Sequence, residues 1–189
     1  MSAQIAVYWL WGVWYVTWLA AVVFSGRTKV QMGREGFGLH RLAASVGVLL
    51  LFMPATWAGP LGTTLWPEPA AAQWALVALT AAAFAFCWWA RLHLGRLWSG
   101  FVTLKEDHRI VDTGPYGLVR HPIYSGVMFA ALMTALIEPT PVSLAGFALL
   151  TAGFAMTAKV EEGFLRGQLG VEAYEAYAHR VPMLVPKFS

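Results

Sequence analysis

The sequence predicts an all-α membrane protein, a polytopic bundle of about five transmembrane helices followed by a C-terminal amphipathic helix. Of its 189 residues, 58% are hydrophobic and only 12% are charged, whereas soluble domains are about 25% charged. Five apolar segments alternate with polar or proline-rich stretches, and ten tryptophans are available to populate two membrane interfaces. We therefore expect one integral membrane domain over residues 1–189, with three spans in 1–90 and the chemistry in 91–189.

The first predicted span is Ile5–Phe24, an uncharged segment of the length that a bilayer core requires. We interpret it as a retained helix and not as a cleaved signal, because its start carries no basic residues and it is rich in Trp and Tyr. Trp11, Trp14 and Trp18 recur at intervals of three and four. This spacing favours a stripe for helix packing or lipid contact over a cofactor site.

The other predicted spans are Leu42–Trp57, Ala70–Ala90, Pro122–Ile137 and Val142–Val160. Pro54 is expected to kink the second span, because a proline inside a helix removes one backbone hydrogen bond. The fourth and fifth spans are expected to form a hairpin, with the fifth helix continuing to about Leu169 and stopping at Gly170. An amphipathic helix is predicted at Glu172–Arg180.

The polar stretch between the third and fourth spans is too long for a simple connection, and loops of this length are often functional. Within it, Thr103–Lys105 and Arg109–Val111 flank three polar residues, so we expect either a short hairpin or an irregular loop.

The basic residues are distributed asymmetrically. Every Lys and Arg falls in the loops that follow the first and third spans, in the C-terminal tail, or at the helix ends on that side. The positive-inside rule therefore predicts an inner or cell membrane protein whose N-terminus faces outward, with these loops in the cytoplasm. The hairpin would then bring Arg120-His121 level with Glu161-Glu162 on the cytoplasmic face.

The stretch Asp112–Gly126 concentrates polar chemistry at the start of the fourth span. Gly114-Pro115-Tyr116-Gly117 predicts a tight turn, because Pro presets φ and Gly tolerates positive φ. His121 is expected at the helix cap and Pro122 at the first helical position, where the free N–H groups suit a carboxylate. A membrane-interface anchor made of Arg, His and Tyr is the alternative that the residue types leave open.

These residues, together with others further along the chain, resemble the C-terminal pattern of the isoprenylcysteine carboxyl methyltransferase family. The matching residues are Tyr116, Arg120-His121-Pro122, Tyr124, Gly126, Glu161-Glu162, Leu165, Gly170, Tyr174, Tyr177 and Val181-Pro182. The resemblance extends from about Leu94 to the end. It implies an integral membrane enzyme that moves a methyl group from S-adenosylmethionine to a lipophilic acceptor.

The resemblance implies that Tyr116, His121, Tyr124 and Glu162 belong to the S-adenosylmethionine site, and residues expected beside them extend the set. The expected catalytic residues are Glu162, His121 and Arg120. The expected cofactor-binding residues are Val111, Gly114, Pro115, Tyr116, Leu118, His121, Tyr124, Glu161 and Glu162. Because Glu161 and Glu162 point about 100° apart on a helix, we expect only one to face the site. Without the resemblance, a solvated helix surface paired with Arg166 would explain both glutamates.

The chain departs from the family at one position that bears on the acceptor. An arginine that the eukaryotic enzymes carry shortly before their glutamates is Thr157 here, and Lys159 is the candidate replacement. An isoprenylcysteine carboxylate remains the leading acceptor, with a phospholipid or another lipophilic amine or thiol as the alternative. Expected partners are therefore a prenylated cysteine or lipophilic small molecule and membrane lipids.

Two other classes remain open. A sterol-type membrane reductase would use NADPH, whose extra phosphate Arg91, Arg96, Lys105 and Arg109 could bind. A non-catalytic membrane adaptor would need no site at all. Metal and nucleic-acid binding are not expected, because the histidines lack ligand spacing, Cys87 is the only cysteine, and the basic residues follow the membrane rule.

Overall fold

The computed structural model describes residues 1–26, 28–31, 38–99, 103–105 and 109–187. The helices in these ranges are α1 Ala3–Ala20, α2 Leu39–Leu51, α3 Ala70–Leu94, α4 Pro115–Leu118, α5 Pro122–Ile137, α6 Pro141–Leu169 and α7 Val171–Arg180. Short 3-10 turns occur at Ala21–Phe24, Ala55–Trp57, Gly59–Gly62 and Gly95–Leu97. Two short strands, β1 Thr28–Gln31 and β2 Thr103–Lys105, pair antiparallel.

The fold is a helical membrane bundle, as predicted. Three segments are long and apolar enough to cross a membrane, namely Ala3–Phe24, Ala70–Leu97 and Pro141–Leu169. The two shorter apolar helices are Leu39–Leu51 and Pro122–Ile137. Because a span needs about 20 residues, the count of five spans stays a prediction.

The second helix ends earlier than the sequence predicts. It stops at Leu51 instead of continuing through a kink to Trp57, and 3-10 turns follow Pro54. Proline disfavours the helical conformation in the residue before it and donates no hydrogen bond, so a helix ends more readily than it bends.

The strand pair joins the two polar loops. Val30 of β1 lies opposite Leu104 of β2, so Thr103–Lys105 forms no hairpin with Arg109–Val111, which is irregular. The partner strand is distant in the sequence, and local patterns do not reveal such a pairing. The three residues between the two segments lie outside the described ranges.

Close backbone contact joins α2 to α6. A Cβ on Gly47 would lie 2.8 Å from the carbonyl oxygen of Gly146, and a Cβ on Gly153 would lie 2.6 Å from that of His40. Helices in a membrane gain little from the hydrophobic effect between them and depend on such close packing of small residues. The glycines therefore fix α6, which carries the glutamate pair, against α2.

Polar contacts define the two ends of the bundle. At one end Gln4 of α1 contacts Glu138 of the α5–α6 turn, and Leu65 N–H donates to Pro139 O at 2.8 Å. At the other end α6 runs on to Leu169 and stops at Gly170, whose φ is 94°, as predicted. The C-terminal part of α3, the start of α5 and α7 share this second end, which holds the candidate site.

Candidate active site

The turn before α5 is a short helix held by α7. Gly114 has a φ of 57°, and Pro115 then begins α4, so the predicted turn residues start a helical turn. Tyr116 is buried in it, and the Tyr177 hydroxyl of α7 donates to the Tyr116 carbonyl oxygen at 2.8 Å. Burial raises the pKa of the Tyr116 and Tyr177 hydroxyls, so both are neutral hydrogen-bond donors at physiological pH.

Arg120 joins three parts of the structure. Its Nε and Nη2 donate to the two oxygens of Glu162 on α6, at 2.7 and 3.1 Å. Its Nη1 donates to the carbonyl oxygens of Ala178 and Val181 at the end of α7. Burial lowers the pKa of the Arg120 guanidinium, but the Glu162 carboxylate more than offsets this, so the pKa rises. A bidentate pair of this kind is strong and directional.

His121 occupies the N-cap position of α5, as predicted, but its side chain does not cap the helix. Its Nε2 lies 3.2 Å from Glu162 Oε1, and its Nδ1 lies 3.8 Å from Glu161 Oε2. The ring stacks on Tyr124, with an angle of 2° between the planes and 5.3 Å between the centroids. The Tyr124 hydroxyl donates to Glu161 Oε2 at 2.8 Å, so the imidazole sits between both carboxylates.

A cavity of about 280 Å³ opens beside this cluster. One side, here called the polar wall, is formed by residues of α4–α7 and the turn before α5. It comprises Tyr116, Arg120, His121, Tyr124, Glu161, Tyr174 and Tyr177. The other side, here called the aromatic wall, is formed by Trp14 and Trp18 of α1 and by Trp98. Arg109, Ser99 and several apolar side chains complete the lining, the apolar ones including Leu94, Val127, Phe154 and Leu165.

The predicted site residues divide into two groups. Those that line the cavity are Val111, Tyr116, Arg120, His121, Tyr124 and Glu161. Those that do not are Gly114, Pro115, Leu118 and Glu162. Leu118 is 48% exposed, and Pro115 is packed in the protein interior. Gly114 lies against His93, where an added Cβ would come within 2.8 Å of the ring. Gly114, Pro115 and Leu118 therefore lie on the sides of this short helix that do not face the cavity, whereas Tyr116 faces it.

The two glutamates have different surroundings. Only one faces the cavity, as predicted, and it is Glu161. Glu162 is 4% exposed, and both of its oxygens are occupied by Arg120, with His121 on one of them. Arg166 lies 3.7 Å from Glu162, but burial rules out the solvated surface pair. Glu162 therefore contacts Arg120 and His121 and does not line the cavity.

The sequence analysis missed the contribution of α1. Trp11 is a packing residue, as predicted, and donates to Thr134 Oγ1 at 2.9 Å. Trp14 and Trp18, however, line the cavity, so the stripe is only partly for packing. A spacing of three and four shows that residues share a face but does not show what that face contacts. Tyr174 and Tyr177 belong to the family pattern, yet they were not assigned to the site.

Of the basic residues named for an NADPH phosphate whose side chains are described, only Arg109 lines the cavity. Arg91 is 5% exposed, and its guanidinium carbon lies 3.4 Å from the centroid of the Trp98 ring. Arg96 and Arg109 are exposed, and the side chain of Lys105 lies outside the described set. Within the described residues, no group of three His, Cys, Asp or Glu converges to hold a metal ion.

Comparison with known proteins matches part of the chain to one family. Residues 75–166 match the model of the isoprenylcysteine carboxyl methyltransferase (ICMT) family. Protein-S-isoprenylcysteine O-methyltransferase B of Arabidopsis thaliana is 34% identical over 95 residues, which cover 49% of this chain and 48% of that protein. The cobalt-zinc-cadmium resistance protein CzcN of Cupriavidus metallidurans is 30% identical over 101 residues, covering 51% and 44%.

A solved structure supports the fold independently. The eukaryotic intramembrane Ras methyltransferase ICMT superposes with a TM-score of 0.54 at 21% identity, covering 78% of this chain and 52% of that one. The chain therefore spans about half the length of the relatives it matches. The family resemblance is confirmed: residues 75–166 carry the isoprenylcysteine carboxyl methyltransferase pattern, and the chain has the ICMT membrane fold.

Proposed function

We propose that the protein is an integral membrane methyltransferase that moves a methyl group from S-adenosylmethionine to a lipophilic acceptor. The observation that carries the proposal is the division of one cavity into a polar wall with a carboxylate and an aromatic wall that bears no acidic group among its described residues. A charged cofactor and an apolar acceptor need such a division. The family match over residues 75–166 supports the same reading.

The residues of the polar wall fit the cofactor. S-adenosylmethionine carries a sulfonium, an ammonium, a carboxylate and an adenine. Glu161 Oε2 accepts from Tyr124, while Oε1 has no hydrogen bond to a described residue and is free for a cationic group. The start of α5, beside His121, is the electropositive end of that helix and suits the cofactor carboxylate. Tyr116 and Val111 offer surfaces for the adenine.

The cavity size is compatible with this assignment. Small-molecule sites enclose roughly 300–1,000 Å³, and the cavity of about 280 Å³ lies near the lower limit. The bound cofactor supplies an electrophilic methyl group. The residues of the chain hold the two reactants in line and exclude water, which are the main requirements of such a displacement.

The electron balance needs no redox partner. An acceptor lone pair forms the new bond to the methyl carbon, while the carbon–sulfur bond breaks and its electrons return to sulfur. A carboxylate acceptor needs no base. For an amine or thiol acceptor, Glu161 or His121 on the cavity wall is the candidate to take the proton.

The described residues say less about the chemical class of the methyl acceptor than about the methyl donor. The leading candidate acceptor is an isoprenylcysteine carboxylate, because the Arabidopsis thaliana relative is named protein-S-isoprenylcysteine O-methyltransferase B. Thr157, which occupies the position of the family arginine, is neutral and brings no positive charge to the acceptor. Its hydroxyl donates to Gly153 O within α6. Lys159 is exposed and does not line the cavity. A phospholipid or other lipophilic amine or thiol therefore remains the second candidate.

We place the site on the cytoplasmic face, with α2 and α5 completing five spans. The Lys and Arg residues flank this end of the bundle, whereas Gln4, Glu138 and Leu65 mark the opposite end. The positive-inside rule then favours a cytoplasmic site. Labelling single-cysteine variants at Ser2 and Lys187 with a membrane-impermeant reagent in intact cells tests this orientation.

The test of the function is a thermal-shift titration of detergent-purified protein with S-adenosylhomocysteine, run beside NADPH. A ligand that binds only the folded state stabilises by about 2.7 kcal/mol at a hundred times its Kd. We expect a shift with S-adenosylhomocysteine and none with NADPH. A shift with NADPH alone would favour a reductase, and no shift with either would favour an adaptor.

A further inference from the structure

His93 is a side chain that the proposed mechanism does not use, yet it contacts the turn before α5 at three residues. It lies in the last turn of α3 and does not line the cavity. Its Nε2 is 2.9 Å from Thr113 Oγ1, and its ring stacks beside that of Tyr116, with 6.5 Å between centroids and 23° between planes. A Cβ on Gly114 would lie 2.8, 2.9 and 3.0 Å from three atoms of the imidazole. The ring therefore occupies the space that a side chain at position 114 would need.

Thr113 links His93 to Tyr116. Its hydroxyl meets the imidazole, and its carbonyl oxygen accepts from the Tyr116 N–H at 3.1 Å. Between them, Gly114 has a φ of 57°, a conformation that glycine adopts at little cost. The direction in which the chain enters α4 therefore depends on these few contacts. Tyr116 lines the cavity, as does Val111 just before the turn.

The same turn is held from α7 by a contact of a different kind. The hydrogen bond from the Tyr177 hydroxyl to the Tyr116 carbonyl oxygen is buried, whereas the contact between His93 and Thr113 is exposed. Water can replace either partner of an exposed hydrogen bond, so the loss of His93 leaves no buried polar group unpaired. We therefore expect His93 to affect the orientation of the turn more than the free energy of unfolding.

We infer that His93 is a positioning residue for the cofactor site: it holds Thr113 and Gly114 so that Tyr116 presents its ring to the adenine of S-adenosylmethionine. This inference rests on the proposed methyltransferase function and gives a residue outside the cavity a role in cofactor affinity. The alternative is a surface histidine that only interacts with the C-terminal dipole of α3. That alternative predicts an effect on the stability of α3 and none on ligand affinity.

The experiment measures the Kd of S-adenosylhomocysteine for the detergent-purified full chain by isothermal titration calorimetry. The melting temperature of the ligand-free protein is recorded for every variant. His93→Ala should raise the Kd about three- to tenfold, within the factor that one neutral hydrogen bond provides. The melting temperature of the ligand-free variant should change little, which a purely structural role would not produce.

Three further variants and a control identify the contact responsible. Thr113→Val should also raise the Kd, and the double variant should show less than the product of the two factors, because both changes remove the same hydrogen bond. His93→Gln should restore much of the affinity, since its amide can donate or accept, whereas His93→Phe keeps only the ring and should not. His179→Ala is the matched control, because His179 is also exposed in the last turn of a helix and lies outside the cavity lining. It should behave as the wild type does.

Three outcomes would overturn the inference: an unchanged Kd in His93→Ala, factors that multiply in the double variant, or an equal loss of affinity in His179→Ala. If His93→Ala does not fold, the other two substitutions decide, and a His93→Gln variant that binds no better than His93→Phe overturns the inference. Failure of the methyltransferase proposal is a separate result, because it would appear as a wild type that does not bind S-adenosylhomocysteine.

Discussion

Arg120 and Glu162 form a buried bidentate ion pair, with nitrogen–oxygen distances of 2.7 and 3.1 Å, that ties the segment before α5 to α6. His121 shares one of the same carboxylate oxygens at 3.2 Å. The neighbouring Glu161 instead faces the cavity. The two adjacent glutamates therefore have different surroundings, and we expect their substitutions to have different effects.

Substitution of the two glutamates should affect different properties. Glu162→Gln leaves Arg120 buried beside a neutral amide, and breaking a buried pair in this way typically costs about 3–5 kcal/mol. We expect a clear fall in the melting temperature of the ligand-free protein. Glu161→Gln should leave that temperature nearly unchanged and weaken S-adenosylhomocysteine binding by about tenfold or more. The reverse pattern in the two variants would contradict the assignment.

Arg120→Lys should destabilise the protein although it keeps the charge. An ammonium cannot donate in parallel to both Glu162 oxygens while also reaching Ala178 O and Val181 O. We expect a loss of about 2–3 kcal/mol, in the range of a hydrogen bond to a charged group, measured by thermal or denaturant unfolding. The control is Arg180→Lys, because Arg180 pairs with Asp112 on the surface at 3.0 Å and such pairs contribute about 0–1 kcal/mol. Equal losses would refute the special role of Arg120.

Tyr177→Phe should loosen α7 from α4. It removes the hydroxyl that donates to the Tyr116 carbonyl oxygen at 2.8 Å, and a buried acceptor left unpaired costs about 1–3 kcal/mol. Faster hydrogen exchange in α4 and α7 is the expected readout. Tyr174→Phe is the matched control, because the Tyr174 hydroxyl makes no hydrogen bond to a described residue; faster exchange in the control as well would sink this prediction.

Gly146→Ala should disrupt the contact between α2 and α6. An added Cβ would lie 2.8 Å from Gly47 O and equally close to Leu51 Cα. Because these are backbone atoms of α2, the clash can be relieved only by moving the two helices apart. We expect a lower melting temperature and reduced recovery of folded protein. Gly163→Ala on the same helix meets nothing within 4 Å and should be neutral or stabilising, since Ala favours helix by about 1 kcal/mol over Gly. A drop in both variants would argue against the packing explanation.

Two features of the structure were predicted correctly from the sequence, and one was not. Gly170 ends α6 as predicted, because a glycine at the end of a helical pattern tolerates positive φ. The closeness of His121 to the glutamates followed from the hairpin. The earlier end of α2 at Leu51 did not follow, because kinking and termination at Pro54 have the same local signature.

The parts that depend on long-range packing could not be predicted. The choice between Glu161 and Glu162 depends on how α6 is rotated, and that rotation is fixed by the contacts of its glycines with α2. The place of Trp14 and Trp18 in the cavity depends on where α1 packs. The burial of Arg91 among indoles likewise needs three separate segments to meet. Local patterns in a single sequence do not show how segments that are distant along the chain pack against each other.

The most direct test of the central claim is transfer of a labelled methyl group from S-adenosylmethionine by the purified protein. S-farnesyl-N-acetylcysteine and a phosphatidylethanolamine serve as parallel acceptors, and Glu161→Gln serves as the impaired variant. We predict label in the farnesylcysteine product as a base-labile methyl ester, with much less in the variant. Absence of transfer to either acceptor, together with no stabilisation by S-adenosylhomocysteine, would contradict the assignment of this protein as a methyltransferase.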